Sequence, residues 1–147
     1  MSRNLFVFTV LFVFFQIGKS QDCTDYHQFQ CTYADYTFFY SQQSKSMLFM
    51  RGQTRDVSII AYAGEDYYIT VCAHHKFGDL QFKIFEDNSN HTPIYDNSAD
   101  NYSNSIVLSN QRTRNLIIEV TVPLGKGNER DRRCVGVLVE FRKIEQK

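Results

Sequence analysis

Apolar residues in this chain recur at every second position over several short stretches, with no sustained 3.6-residue period. Tyr67, Ile69, Val71 and Ala73 alternate with Tyr68, Thr70 and Cys72, and Leu80, Phe82 and Ile84 with Gln81 and Lys83. Leu116, Ile118, Val120 and Val122 alternate with Ile117, Glu119 and Thr121, and Val135, Val137, Val139 and Phe141 with Gly136, Leu138 and Glu140. This is the pattern of strands that lay one face on a core. It also fixes register, because a one-residue slip would move a whole apolar row into water. Weaker stretches at residues 46–51, 56–62, 92–95 and 104–108 bring the predicted strands to eight, with turns at Gly64, at Gly78-Asp79 and at Pro123. Short strands at this spacing predict an all-β chain, a single antiparallel β-sandwich of jelly-roll type. A parallel sheet would need helical patterns between the strands, and none is visible.

The N-terminus follows another rule. Arg3 precedes an apolar run of 11 residues, Leu5 to Phe15. A membrane-spanning helix needs about 20 apolar residues, so the run is too short for a membrane span. It fits a cleavable signal peptide over residues 1–20, with Gly18 and Ser20 as the small residues before the cut. Asp22 stands before Cys23, where a lipoprotein would carry a small residue, so no lipid anchor is expected. The chain then divides into the signal peptide (1–20), an aromatic-rich segment packed on the sandwich (21–45) and the sandwich itself (46–147). The segment is expected to lie across one end of the sandwich, residues 87–103 read as a long turn region around one short strand, and 124–133 as an exposed charged loop. The implied location is secreted or periplasmic.

Four cysteines, Cys23, Cys31, Cys72 and Cys134, all follow the signal peptide. An even number behind an export signal predicts two disulfides rather than a zinc site. Of three connectivities, Cys23–Cys31 as a local loop and Cys72–Cys134 between two strands is the expected one. Without residues 1–20, sixteen acidic residues face fourteen basic ones. That balance gives no basic field for phosphates, and so no nucleic-acid role.

Candidate chemistry is sparse. His74 and His75 are neighbours at a strand end and should point to opposite faces, while His27 and His91 fall in loops. A dispersed Ser/His/Asp assembly stays open, but no G-x-S-x-G, H-E-x-x-H or phosphate-loop motif occurs. No motif implies a cofactor. The run from Asp96 to Asn101 clusters oxygen ligands of the type calcium takes, with Asp96 and Asp100 foremost. An exposed Asn/Asp turn is the commoner meaning of such a run. Tyr36, Phe38, Phe39 and Tyr40 cannot all face one core, which makes them the candidate binding patch. Asn90 and Asn101 head glycosylation sequons. These features predict a non-enzymatic exported protein with a binding or structural role in the cell envelope, and a glycan or protein as its partner. The rivals are a carbohydrate-binding or inhibitor module using the aromatics, and a hydrolase of unfamiliar design.

Several stretches also resemble a group of uncharacterised exported proteins of Bacteroidetes-type bacteria. They include Asp66-Tyr67-Tyr68-Ile69-Thr70-Val71-Cys72, Phe82-Lys83-Ile84-Phe85, Ile94-Tyr95-Asp96-Asn97, Glu119-Val120-Thr121-Val122-Pro123 and Cys134-Val135-Gly136-Val137-Leu138. The strand order is distantly similar to the pre-peptidase C-terminal β-sandwich, an accessory domain of secreted hydrolases. The resemblance implies a β-sandwich and an envelope location, and brings no activity with it.

Overall fold

A computed structural model describes residues 22–145, so the predicted signal peptide lies outside the described residues. In chain order the elements are α1 (Tyr26–Gln30), β1 (Phe39–Tyr40), β2 (Lys45–Met50), β3 (Thr54–Ala61), β4 (Glu65–Ala73), β5 (Gln81–Glu86), β6 (Pro93–Asp96), β7 (Ser105–Asn110), β8 (Arg114–Thr121) and β9 (Arg132–Lys143). Short 3-10 turns occupy His75–Phe77 and Asn97–Asp100. Each of the eight expected strands forms where the alternation placed it. The ninth, β1, and the helix arise inside the segment read as irregular.

Two antiparallel sheets face each other. One runs β1-β9-β4-β7, with β2 also on β9; the other runs β3-β8-β5-β6. The alternating rows meet between them: Val57 and Ile59 of β3, Phe82 and Ile84 of β5, and Leu116, Ile118 and Val120 of β8 pack opposite Ile69, Val71, Val135, Val137 and Val139. Each large side chain buried there contributes about 1.5–3 kcal/mol, which holds the two layers together.

β1 and β2 are two pieces of one strand along the same edge of β9, interrupted at residues 41–44. The Ser44 hydroxyl accepts the Val139 N–H at 2.9 Å and donates to the Ser41 carbonyl at 2.8 Å. It replaces the rung that the break removes, so no buried donor is orphaned.

β9 differs from its expected pattern. Its inward row is Val135, Val137 and Val139, but Cys134, Gly136, Leu138 and Glu140 are buried as well. Residues 22–38 cause this by lying over the outer face of the five-stranded sheet, not across one end of the sandwich. α1 sits on β9 so closely that a Cβ on Gly136 would fall 2.7 Å from the His27 Cα. Beyond the helix, the Ala34 N–H donates to Glu140 Oε2 at 2.7 Å, and the Thr70 hydroxyl donates to the Thr32 carbonyl at 3.2 Å.

The disulfides follow from that placement and correct the expected pairing. Cys23 bonds Cys134 and Cys31 bonds Cys72, with Cα–Cα distances of 5.4 and 5.2 Å. Cys72 stands opposite Gly136 on β9, so Cys134 is its diagonal neighbour two residues away. Diagonal Cα atoms lie about 7–8 Å apart, beyond the usual reach of a disulfide. Cys23 and Cys31 flank α1, and each comes down from above onto one of the sheet cysteines. Both covalent links therefore staple the segment to the sheet.

Candidate functional site

The aromatic run 36–40 is shaped by a local turn and a strand fragment. Asp35 Oδ1 accepts the Thr37 N–H at 2.8 Å, and the Phe38 N–H returns to the Asp35 carbonyl at 3.1 Å. This turn leaves Tyr36 at its tip, 96% exposed. The chain then pairs with β9, Phe39 opposite Phe141 and Tyr40 opposite Glu140.

Strand alternation now divides the rings. Phe39 is 64% exposed, with its ring 6.2 Å from Phe141. It borders a groove of about 650 Å³ at the end of the sheet, shared with Thr37, Asp66, Arg142 and Lys143. Phe38 and Tyr40 are half-buried and act as anchors. Phe38 packs 5.9 Å from Tyr68 beneath the Arg142 guanidinium, which stands 4.5 Å from its centroid. Arg142 is held in turn by Asp66 Oδ2 at 3.0 Å. The Tyr40 hydroxyl meets His27 Nε2 at 3.0 Å and Gln28 Nε2 at 3.3 Å. Tyr36 and Phe39 are thus presented to solvent, while Phe38 and Tyr40 fix the segment that presents them. Phe39 shares the inward-facing row of Phe141 and Tyr67, whereas Phe29, in α1, and Tyr33, beyond it, are exposed on the overlying segment, at 79% and 45%. The sequence carried their identity but nothing to say that the segment would turn them outward.

The histidines occupy three separate places. His27 is buried beneath the segment, with Nδ1 2.7 Å from the Ser46 hydroxyl. The same hydroxyl accepts the His27 backbone N–H at 2.9 Å, and a neutral ring, with one proton, donates to one of the Ser46 and Tyr40 hydroxyls and accepts from the other. Burial lowers the His27 pKa, against the pull of Asp25, which favours this neutral form. The third member of the chain is a tyrosine hydroxyl, and the group pins α1 to β2. His74 and His75 do not diverge as expected. β4 has ended at Ala73, the 3-10 turn begins at His75, and the two rings lie 4.2 Å apart. His91 stands edge-on to Phe85 in a groove on the outer face of the four-stranded sheet, beside Asp56, Lys83 and Glu119.

The run 96–101 is built as a turn. Asp96 Oδ1 accepts Ser98 N–H and O–H at 3.0 and 2.7 Å, and Asp100 Oδ2 accepts the Tyr95 hydroxyl at 3.1 Å. Asn97 is fully buried, accepting the Phe82 N–H and donating to the carbonyls of Leu80 and Ser103. Its oxygens serve the fold. Among the described residues no group of three or more His, Cys, Asp or Glu is placed to hold a metal, and no helix is long and apolar enough to cross a membrane.

These features define a disulfide-stapled antiparallel β-sandwich whose outer layer is a short aromatic segment. No family model matches the chain, and no curated protein matches it either. Among solved structures it is similar to Aeromonas hydrophila PliG, a periplasmic lysozyme inhibitor of g-type lysozyme. The TM-score is 0.53 at 12% identity, over 76% of this chain and 92% of that one. A likeness at that identity establishes a shared fold.

Proposed function

We propose that this chain is an exported, non-enzymatic binding protein that engages a protein partner, in the manner of a secreted inhibitor. The carrying observation is the presentation of Tyr36 and Phe39: two exposed rings on a segment fastened by two disulfides, Phe39 beside an open groove. Rigid aromatic side chains lose little entropy on binding and dominate interface energetics. Two disulfides suit an oxidising compartment, in line with the signal peptide read from the sequence. That the fold neighbour inhibits a lysozyme suggests a lysozyme as the partner class, and the sequence resemblance to exported bacterial β-sandwich proteins suits the same setting.

Titration calorimetry against a g-type lysozyme, with lysis of a cell-wall suspension as the second readout, tests the reading. A complex that slows lysis is expected, and Tyr36→Ala with Phe39→Ala should weaken it about tenfold or more. If g-type, c-type and i-type lysozymes all fail to bind, the inhibitor reading falls. Binding that the double variant leaves intact would remove the aromatic surface from it.

A further inference from the structure

The inward rows of β2 and β9 end in arginines rather than apolar residues. In β2 the row runs Met47, Phe49 and then Arg51; in β9 it runs back from Val139, Val137 and Val135 to Arg133, which stands opposite Phe49. Both lie at the end of the sandwich that the 3-10 turn His75–Phe77 closes, with buried Phe77 as its plug. The Arg51 guanidinium sits 5.6 Å from the Phe77 centroid and donates to the Lys76 carbonyl. The loop before β9 reaches it as well. A Cβ on Gly125 would fall 3.0 Å from Arg51 Nη1, and one on Gly127 would overlap the guanidinium.

Positive charge is concentrated here in a way that the balanced chain as a whole is not. The His74 and His75 rings lie 4.2 Å apart. Burial lowers the His74 pKa, and His75, Arg133 and Lys76 lower it further, with Asp131 opposing them. The Lys76 N–H donates to His74 Nδ1 at 3.3 Å, so the neutral ring keeps its proton on Nε2 as a free donor. Asp131 pairs with Arg133 at 3.0 Å and is the one acid ion-paired to these cations among the described residues. The Nε–H groups of Arg51 and Arg133 are both buried with no acceptor among the described residues. A buried charged donor left unpaired is costly, and it calls for an acceptor such as water or an ion.

We propose that this end of the sandwich binds a sulfate- or phosphate-type oxyanion, held by the Arg51 and Arg133 guanidinium groups with His74, His75 and Lys76 around it. The planar fork of a guanidinium matches two oxygens of such a group, which a point charge does not. Arg133 lies about 26 Å along β9 from Phe141, so the site is separate from the Phe39 groove and does not rest on the inhibitor reading.

Titration of the full, oxidised chain with sodium sulfate at constant ionic strength, followed by the histidine ring resonances, tests this. Saturable shifts of His74 and His75 in the millimolar range are expected, with His91 unmoved. Inorganic phosphate and dextran sulfate run in parallel separate a free ion from a group carried on a polymer. Arg51→Gln with Arg133→Gln should weaken binding about tenfold or more. His75→Ser with Lys76→Ser, at exposed positions, should weaken it too, and keeps the test open should the arginine pair be needed for folding. Lys45→Gln with Lys83→Gln removes two charges elsewhere and should leave affinity unchanged. Shifts that never saturate, binding that neither the arginine nor the His75/Lys76 pair weakens, or an equal loss from the Lys45/Lys83 pair overturns the proposal.

Discussion

β8 and β9 carry the same alternation, Leu116–Ile118–Val120 in one and Val135–Val137–Val139 in the other, and both rows are fully buried between the sheets. Their second faces part company. On β8, Asn115 is exposed, and Ile117 and Glu119 stay half-exposed beside Asp56, Lys83 and Phe85 in a groove of about 450 Å³. On β9, Cys134, Gly136, Leu138 and Glu140 lie under residues 22–38. The same strand pattern therefore supports a bare face and a roofed one. The roof is possible because Gly136 admits the helix and two cysteines receive the staples. It also holds out the rings that the proposed function uses.

The largest test of this contrast is to cut the staples. In the chain-entropy account, the Cys23–Cys134 link, with a separation of 111 residues, contributes about 5 kcal/mol and Cys31–Cys72, with 41, about 4 kcal/mol. Paired Cys→Ser variants of each should lose comparable stability in urea melts. A several-fold difference would mean that native packing of the roof, not loop closure, sets the cost.

A smaller effect comes from the gap that admits the helix. Gly136→Ala places a methyl against the His27 backbone, which cannot yield as a side-chain tip would. Overpacking of this kind costs about 1–3 kcal/mol. Ser58→Ala, on the exposed outer face of β3, should stay within about 0.5 kcal/mol. Equal losses from the two would erase the distinction between roofed and bare faces.

The smallest effect concerns Glu140. Burial raises its pKa above the ordinary 4.5, Asp35 adds to the rise, and the Ala34 N–H works against it. Folding is then favoured by the protonated carboxyl. That contribution is fully present below about 4.5 and is lost as pH climbs through the raised folded value. Glu140→Gln should gain stability over the parent at pH 8 and show no gain at pH 3.5, as read from urea midpoints. A gain of the same size at both pH values would place the effect outside this carboxyl.

Local alternation was enough to specify eight of the nine strands, the inward rows and the sandwich. Period-two burial is a property of a strand and its nearest neighbours, and it is written residue by residue in Tyr67–Ala73 or Leu116–Val122. The crowding of Tyr36, Phe38, Phe39 and Tyr40 was legible too, as an excess of rings that no single face could absorb. Which two of them meet solvent was decided by the turn at Asp35 and the pairing of Phe39–Tyr40 with β9. Neither has a signature longer than a few residues. The disulfide partners, the burial of Glu140 and the need for Gly136 depended on contacts between positions 41 to 111 residues apart, such as Cys31 with Cys72 and Cys23 with Cys134. One sequence alone carries no mark of such distances. It named the four cysteines; only the folded chain, by laying α1 over β9 and β4, chose how they pair.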